Sequence, residues 1–74
     1  MNDENRKLNE EKIYEAFSKG IKLHLILRDN SWRNGFVREI SADFFIFDDR
    51  ENGKEPIFFL ELVKAEPYME EVGR

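Results

Sequence analysis

The central part of the chain, residues 23–49, has the spacing of apolar positions that is typical of β-strands. Three leucines occupy alternate positions of LHLIL, residues 23–27, which predicts a strand over 21–28 with one buried face. Further strands are predicted over 32–40 and 43–49, each preceded by short polar residues that favour a turn. The pattern therefore predicts three consecutive strands joined by tight turns.

Before this block, the pattern predicts one helix over residues 9–19. Apolar residues recur there at helical spacing, Asn9 is placed to cap the first turn, and Gly20 follows the last turn. The polar residues 1–8 are expected to be flexible, and residues 69–74 are expected to form a polar tail.

After this block, the sequence predicts two further strands and, with them, a small barrel. Asn52–Gly53 favours a hairpin, strands are predicted at 56–60 and 63–68, and a short helical turn separates them. Gly35 lies inside the second strand, where glycine usually marks a bend, a bulge or a close backbone approach. The predicted fold class is mainly β, an N-terminal helix followed by a five-stranded, strongly bent antiparallel SH3-like barrel over 21–68. The predicted core is Ile13, Phe17, Leu23, Leu25, Leu27, Val37, Ile40, Phe44, Ile46, Leu60 and Leu62.

Composition and charge narrow the function classes. The 74 residues form one domain with no cysteine and a net charge of −4, which argues against disulfides, thiolate metal sites and a broadly basic nucleic-acid-binding surface. The single histidine, His24, lies on the side of its strand away from the leucines, and no glycine loop for phosphate is present. We therefore expect a protein that is not an enzyme and that has no cofactor or metal. Since nothing resembles a signal peptide or a membrane span, a soluble cytoplasmic protein is expected.

The chain from strand one to strand five resembles the Sm-like family, which includes the Sm and LSm proteins and bacterial Hfq. The first motif of that family is an alternating strand, a turn with Asp or Asn, a glycine in strand two, a short Asp-containing loop and an apolar strand. The matching residues are Leu23, Leu25, Leu27, Asp29, Gly35, Val37, Ile40, Phe44 and Ile46. The resemblance implies an RNA-binding protein that forms rings, with a helix over one open end of an Sm-like barrel.

The residues at the RNA-binding places depart from the family pattern. Sm-like proteins commonly bind uridine with an Asp and an Asn near the loop between strands two and three, and with an Arg-Gly pair between strands four and five. Ser41 and Phe45 stand at the first two places, beside Asp43, and Glu61 lies near the third. Ser41 could donate to a base and Phe45 could stack on one, whereas Glu61 would repel phosphate. The alternative is that Phe45 belongs to the core.

The resemblance also implies self-assembly, because strand four of one Sm-like subunit pairs with strand five of the next subunit and closes a ring. Ile57, Phe58 and Phe59 put apolar side chains on both faces of strand four. An apolar edge strand is a template for pairing, so these residues and Val63 are the predicted subunit interface. The charged loop over residues 50–55, Pro56 and Lys64 could instead protect the edge and leave a monomer.

Two functions from different classes follow. The first is a homo-oligomeric ring that binds single-stranded RNA with an atypical pocket, and the second is a barrel of the same shape used as a protein-interaction or assembly module. Trp32 and Phe36 share one face of strand two and would form an apolar patch for a protein partner, unless the N-terminal helix covers them.

Overall fold

The computed structural model describes residues 3–68, with side chains from Arg6 onward. A helix is followed by five strands, with a 3₁₀ turn before the last strand. The elements are α1 (Asp3–Lys19), β1 (Leu23–Leu27), β2 (Trp32–Ile40), β3 (Phe44–Asp49), β4 (Gly53–Phe58), the 3₁₀ turn (Phe59–Glu61) and β5 (Leu62–Pro67). The predicted fold class, mainly β with an N-terminal helix and five antiparallel strands, is confirmed.

The strands form one antiparallel sheet in the order β4-β3-β2-β1-β5. Register shifts between Val37 and Glu39 of β2 and between Ile26 and Leu27 of β1 mark bulges, which bend the sheet and increase its twist. Strands β4 and β5 lie at the two edges and do not pair with each other within residues 3–68. The sheet is therefore bent but not closed into a complete barrel.

Gly35 allows a close approach between β2 and β3. A Cβ atom at this position would overlap the carbonyl oxygen of Asp48 and lie 2.9 Å from its carbonyl carbon. Since both obstacles are backbone atoms of the neighbouring strand, they cannot move aside without separating the strands. The close backbone approach expected from a glycine inside a strand is thus confirmed.

The core lies on the inner side of the bent sheet and is completed by α1, which packs against β2, β5 and the 3₁₀ turn. Six predicted core residues are confirmed, and Ile40 is half-buried against the others. The buried apolar residues are Ile13, Ala16, Leu23, Leu25, Leu27, Val37, Phe45, Phe47, Ile57, Phe59, Leu62 and Ala65.

On β3 the prediction of the inward face is wrong. Phe45 and Phe47 have no exposed surface and fill the core, whereas Phe44 and Ile46 are half-buried on the opposite face. The stretch FFIF is apolar at every position, so its pattern does not distinguish the two faces.

Two further predicted core residues are exposed. Phe17 is 46% exposed because the docked stripe of α1 runs through Ile13 and Ala16 instead. Leu60 is 65% exposed because β4 ends at Phe58 and the following 3₁₀ turn points Phe59 inward in its place.

The helix begins at Asp3, earlier than the predicted start at residue 9, and the flexibility expected of residues 1–8 stays a prediction. Asn9 is therefore not a cap. It is buried within α1, where its Nδ2 donates to the carbonyl oxygens of Leu62 at 3.4 Å and Val63 at 3.3 Å. The predicted tail, residues 69–74, lies outside the described residues.

Candidate assembly surface

The outer edge of β4 has few backbone donors. The N–H of Phe59 donates to the carbonyl of Asp43 at 2.9 Å, and the uninterrupted register between β3 and β4 then directs the odd-numbered residues of β4 toward β3. Since backbone groups alternate in direction along a strand, those of Lys54, Pro56 and Phe58 point to the open edge. Proline has no N–H, so this edge offers the donors of Lys54 and Phe58 alone.

The outer edge of β5 is similar. The N–H of Tyr68 donates to the carbonyl of Lys22 at 2.9 Å, and the register with β1 places Ala65 and Pro67 with their backbone groups outward. Of these two residues only Ala65 has an N–H to donate, because Pro67 is a proline. The chain has 2 prolines, and each stands at an outward position of an edge strand. Such prolines hinder the growth of a long intermolecular ladder.

Between these edges, the chain exposes three large apolar side chains, which we call the edge cluster. Phe58 is 45% exposed, Leu60 65% and Val63 49%. The Phe58 ring lies 5.4 Å from the ring of half-buried Phe44, which extends the apolar surface onto β3. Exposed apolar side chains that form a patch mark interaction sites on small domains, which makes the edge cluster a candidate contact surface.

Only part of the predicted subunit interface belongs to this surface. Phe58 and Val63 are exposed, as an interface requires before assembly. Ile57 and Phe59 are 2% and 4% exposed and belong to the core of their own chain. Leu60, which the sequence predicted as core, is the most exposed member of the edge cluster.

Hydrogen bonds fix the backbone that carries the edge cluster. Arg28 donates through Nε to the carbonyl of Leu60 at 2.6 Å and through its backbone N–H to the carbonyl of Glu61 at 2.9 Å. The amide of Asn9 reaches the carbonyl of Val63. These hydrogen bonds join the backbone of the edge cluster to Arg28, the residue after β1, and to α1.

The residues at the predicted RNA-binding places are separated by burial. Ser41 and Asp43 are exposed in the loop between β2 and β3. The ring of Phe45 lies 5.2 Å from that of Phe59 and has no exposed surface, so neither face is open to a base. The interpretation of Phe45 as a core residue is confirmed.

Glu61, near the third predicted RNA-binding place, lies at a separate cleft that neither Ser41 nor Asp43 lines. It is exposed and borders a cleft of about 260 Å³, together with Arg33 and Glu55. Arg33 Nε donates to Glu55 Oε2 at 2.7 Å, and this hydrogen bond raises the pKa of Arg33 above its usual range. The hydrogen bond stabilises the cationic guanidinium. Within residues 3–68, no group of three or more His, Asp or Glu side chains is arranged to hold a metal ion.

The side chain of Trp32 faces outward. It is 59% exposed, so α1 does not cover it, and its ring lies 6.0 Å from the ring of His24. Phe36 is half-buried, with the Arg38 guanidinium 5.4 Å from its ring. The partner predicted for Trp32 and Phe36 stays a prediction.

Comparison with known proteins does not assign a family. No protein-family model matches the chain, and a search of the curated proteins finds no significant match. In the described part of the chain, no helix has both the length and the apolar character needed to cross a membrane.

Proposed function

We propose that this chain is a non-enzymatic assembly domain of Sm-like shape, which associates with further copies of itself through the edge cluster. The observation that supports this is the exposure of Phe58 at the end of β4, Leu60 in the 3₁₀ turn and Val63 near the start of β5. Removing apolar surface from water is favourable by roughly 25 cal/mol per Å². A small domain gains much from such burial, since its own core buries a limited share of its surface.

In this proposal, side chains contribute more than a long β-ladder does. When β4 of one copy pairs antiparallel with β5 of the next, the register with Phe58 opposite Ala65 gives one doubly hydrogen-bonded pair. The same register sets Pro56 opposite Pro67, where no N–H is present on either strand. We therefore expect the contact at the Phe58 end of β4, beside the edge cluster. Such a head-to-tail contact closes into a ring when its rotation permits.

Light scattering on the eluting peak of a size-exclusion column tests the proposal. The wild-type chain is expected to show a mass above the 8.9 kDa of one chain. Leu60→Lys is expected to shift the protein to the monomer, because the contact would then bury an unpaired charge. Tyr14→Lys is the matched control, since Tyr14 is 54% exposed on α1, outside the edge cluster, and its replacement should leave the mass unchanged.

Two results would overturn this proposal. One is a mass of 8.9 kDa for the wild-type chain at high protein concentration. The other is an oligomer whose mass and concentration dependence are the same in Leu60→Lys as in the wild type. Circular dichroism of each variant shows whether it keeps the fold, so that unfolding is not mistaken for dissociation.

RNA binding at the loop between β2 and β3 is a second candidate function. Its support is that Ser41 and Asp43 are exposed in a loop held beside the 3₁₀ turn by the hydrogen bond from Phe59 to Asp43. With Phe45 in the core, binding there would depend on polar contacts, so we expect it to be weak. Fluorescence anisotropy with uridine-rich and adenosine-rich RNA at two salt concentrations, on the wild type and Ser41→Ala, tests this. Equal affinity of the two proteins excludes Ser41 as a contact.

A further inference from the structure

A cleft of about 310 Å³ lies between the side chains of Trp32 and Tyr68. Trp32 is 59% exposed and Tyr68 36%. No residue of the edge cluster lines this cleft, and neither do Ser41, Asp43 or Glu61. We call it the Trp32 cleft, and it is a separate surface from the one proposed for assembly.

The aromatic borders of the Trp32 cleft are held by the sheet. Trp32 begins β2 and pairs with Ile26 of β1. The backbone N–H of Tyr68 donates to the carbonyl of Lys22, and the Lys22 ammonium lies 4.6 Å from the centre of the Tyr68 ring. Trp32 therefore extends from a hydrogen-bonded strand, and Tyr68, one residue after β5, is joined by its backbone hydrogen bond to the residue just before β1.

Positive charge also converges on the Trp32 cleft, although the chain as a whole has a net charge of −4. Lys22, Arg33 and Arg50 all line it. Arg33 is oriented by two hydrogen bonds, to Glu55 at 2.7 Å and to the carbonyl of Trp32 at 3.0 Å. Arg50 is exposed in the turn after β3.

Of the two carboxylates at the Trp32 cleft, one is occupied by the backbone. Asp49 is 6% exposed, and its Oδ1 accepts hydrogen bonds from the N–H groups of Glu51 at 2.6 Å and Asn52 at 3.2 Å. It therefore shapes the turn that carries Arg50. Glu51 is exposed and is the carboxylate that opposes an anion here.

We infer that the Trp32 cleft binds one nucleotide unit, either as a free nucleotide or within a single strand. The exposed indole offers a flat face on which any base can stack. The exposed guanidinium of Arg50 suits a phosphate, and the side-chain amides of Asn34 and Asn52, which also line the cleft, can hydrogen-bond a base edge. An apolar peptide in the same place would offer no partner to the exposed Arg50 guanidinium, and burying that charge against it would be costly. The chemistry therefore favours a nucleotide over an apolar protein partner.

Trp32 is the single tryptophan of the chain, so its fluorescence reports on this cleft alone. We expect saturable quenching when AMP, UMP or a short adenylate oligonucleotide is added, because a stacked base quenches the indole. Ribose 5-phosphate and inorganic phosphate are the base-free probes and should leave the emission unchanged. Comparable affinity for AMP and the oligonucleotide indicates a free nucleotide, and much tighter oligonucleotide binding indicates a strand.

Variants are compared by anisotropy of a labelled adenylate oligonucleotide. Trp32→Ala is expected to weaken binding roughly 5- to 150-fold, the equivalent of one stacked base, and Trp32→Phe should retain part of the affinity. Arg50→Gln should weaken binding and reduce its salt dependence, since one phosphate contact is lost. Arg6→Gln is the matched control, because Arg6 pairs with Glu10 on α1 and does not line the cleft.

Absence of quenching by every nucleotide probe would overturn the inference, as would equal oligonucleotide affinity of Trp32→Ala and the wild type. A blue shift of the Trp32 emission with rising protein concentration alone, without any effect of nucleotides, would identify a protein contact instead. Leu60→Lys should leave nucleotide quenching intact, so failure of the assembly proposal and failure of this one are distinguishable.

Discussion

The middle of the sheet and its two edges differ in how they are constructed. Strands β1, β2 and β3 have a hydrogen-bonded neighbour on both sides, and Gly35 allows β2 to lie against the Asp48 carbonyl. Each edge strand instead has a proline at an outward position, Pro56 or Pro67, and residues 58–63, from the end of β4 to the start of β5, expose the edge cluster. The middle strands contribute more of the buried core than the edge strands do, whereas the edges carry the surface that we propose for assembly.

The phenylalanines of β3 and β4 show the same difference in burial between two neighbouring strands. Phe45 and Phe47 of β3 have no exposed surface, whereas Phe58 of β4 is 45% exposed. Their chemistry is identical, so the position of the strand and the side to which each residue points determine whether it stabilises the fold or is available for a contact.

The largest expected effect comes from a substitution in the middle of the sheet. Gly35→Ala should lower the free energy of unfolding by roughly 2–5 kcal/mol, since the new methyl group overlaps the Asp48 carbonyl and forces strain or separation of the strands. Gly35→Val should be worse because its side chain is larger and branched at Cβ. Urea unfolding followed by circular dichroism measures both.

Gly53→Ala separates lack of space from backbone conformation. Gly53 has φ +74° and no atom within 4 Å of an added Cβ, so its substitution should cost only about 1–2 kcal/mol of conformational strain. If Gly35→Ala costs no more than Gly53→Ala, the close approach of β2 and β3 is not what requires glycine at position 35.

An intermediate effect is expected at the link between the helix and the β5 edge. Asn9→Leu keeps the size of the side chain but leaves the carbonyls of Leu62 and Val63 without their amide donor. Because these hydrogen bonds are long, at 3.4 and 3.3 Å, we expect a loss of about 1 kcal/mol in urea unfolding. Ser18→Ala, at an exposed position of the same helix, is the control and should be nearly neutral. A stability of Asn9→Leu equal to or above that of the wild type would show that apolar packing replaces these bonds.

The sequence was sufficient for the parts of the fold that depend on local alternation. The buried leucines of β1 were predicted correctly because the other face of that strand carries more polar residues. The role of Gly35 was predicted correctly because a glycine inside a strand usually marks a bend, a bulge or a close backbone approach. Which residues of β3 point into the core cannot be predicted from alternation, because every residue of FFIF is apolar. Asp49 points inward, where it accepts hydrogen bonds from the turn, and Phe45 and Phe47 lie on the same face because they are four and two residues before it.

Other features depend on tertiary structure that the sequence pattern does not contain. Asn9 has the residue type of a helix cap, but its partners lie on β5, more than fifty residues away. The exposure of Leu60 depends on where β4 gives way to the 3₁₀ turn. The Trp32 cleft is lined from both sides of β1, since Trp32 begins β2 and Tyr68 follows β5, and this placement depends on the strand order.

The smallest effect on stability, and the sharpest test of the edges, is expected from replacing the prolines. Pro56→Ala and Pro67→Ala each add one outward N–H and should change the free energy of unfolding by less than about 1 kcal/mol. With Phe58 opposite Ala65, the double variant gains a second doubly hydrogen-bonded pair. It should therefore associate at lower protein concentration than the wild type, as light scattering over a dilution series would show.

Ser18→Ala, at an exposed position of α1, is the control for the proline variants, because it adds no backbone donor and changes no residue of either edge strand. If the double proline variant and the wild type associate at the same concentration, β4 and β5 do not pair in the oligomer, and the edge cluster alone forms the contact. If Pro56→Ala and Pro67→Ala associate at different protein concentrations, the variant that associates at the lower concentration identifies the proline that limits pairing between β4 and β5. Comparison with Leu60→Lys then separates the contribution of backbone pairing from that of apolar burial.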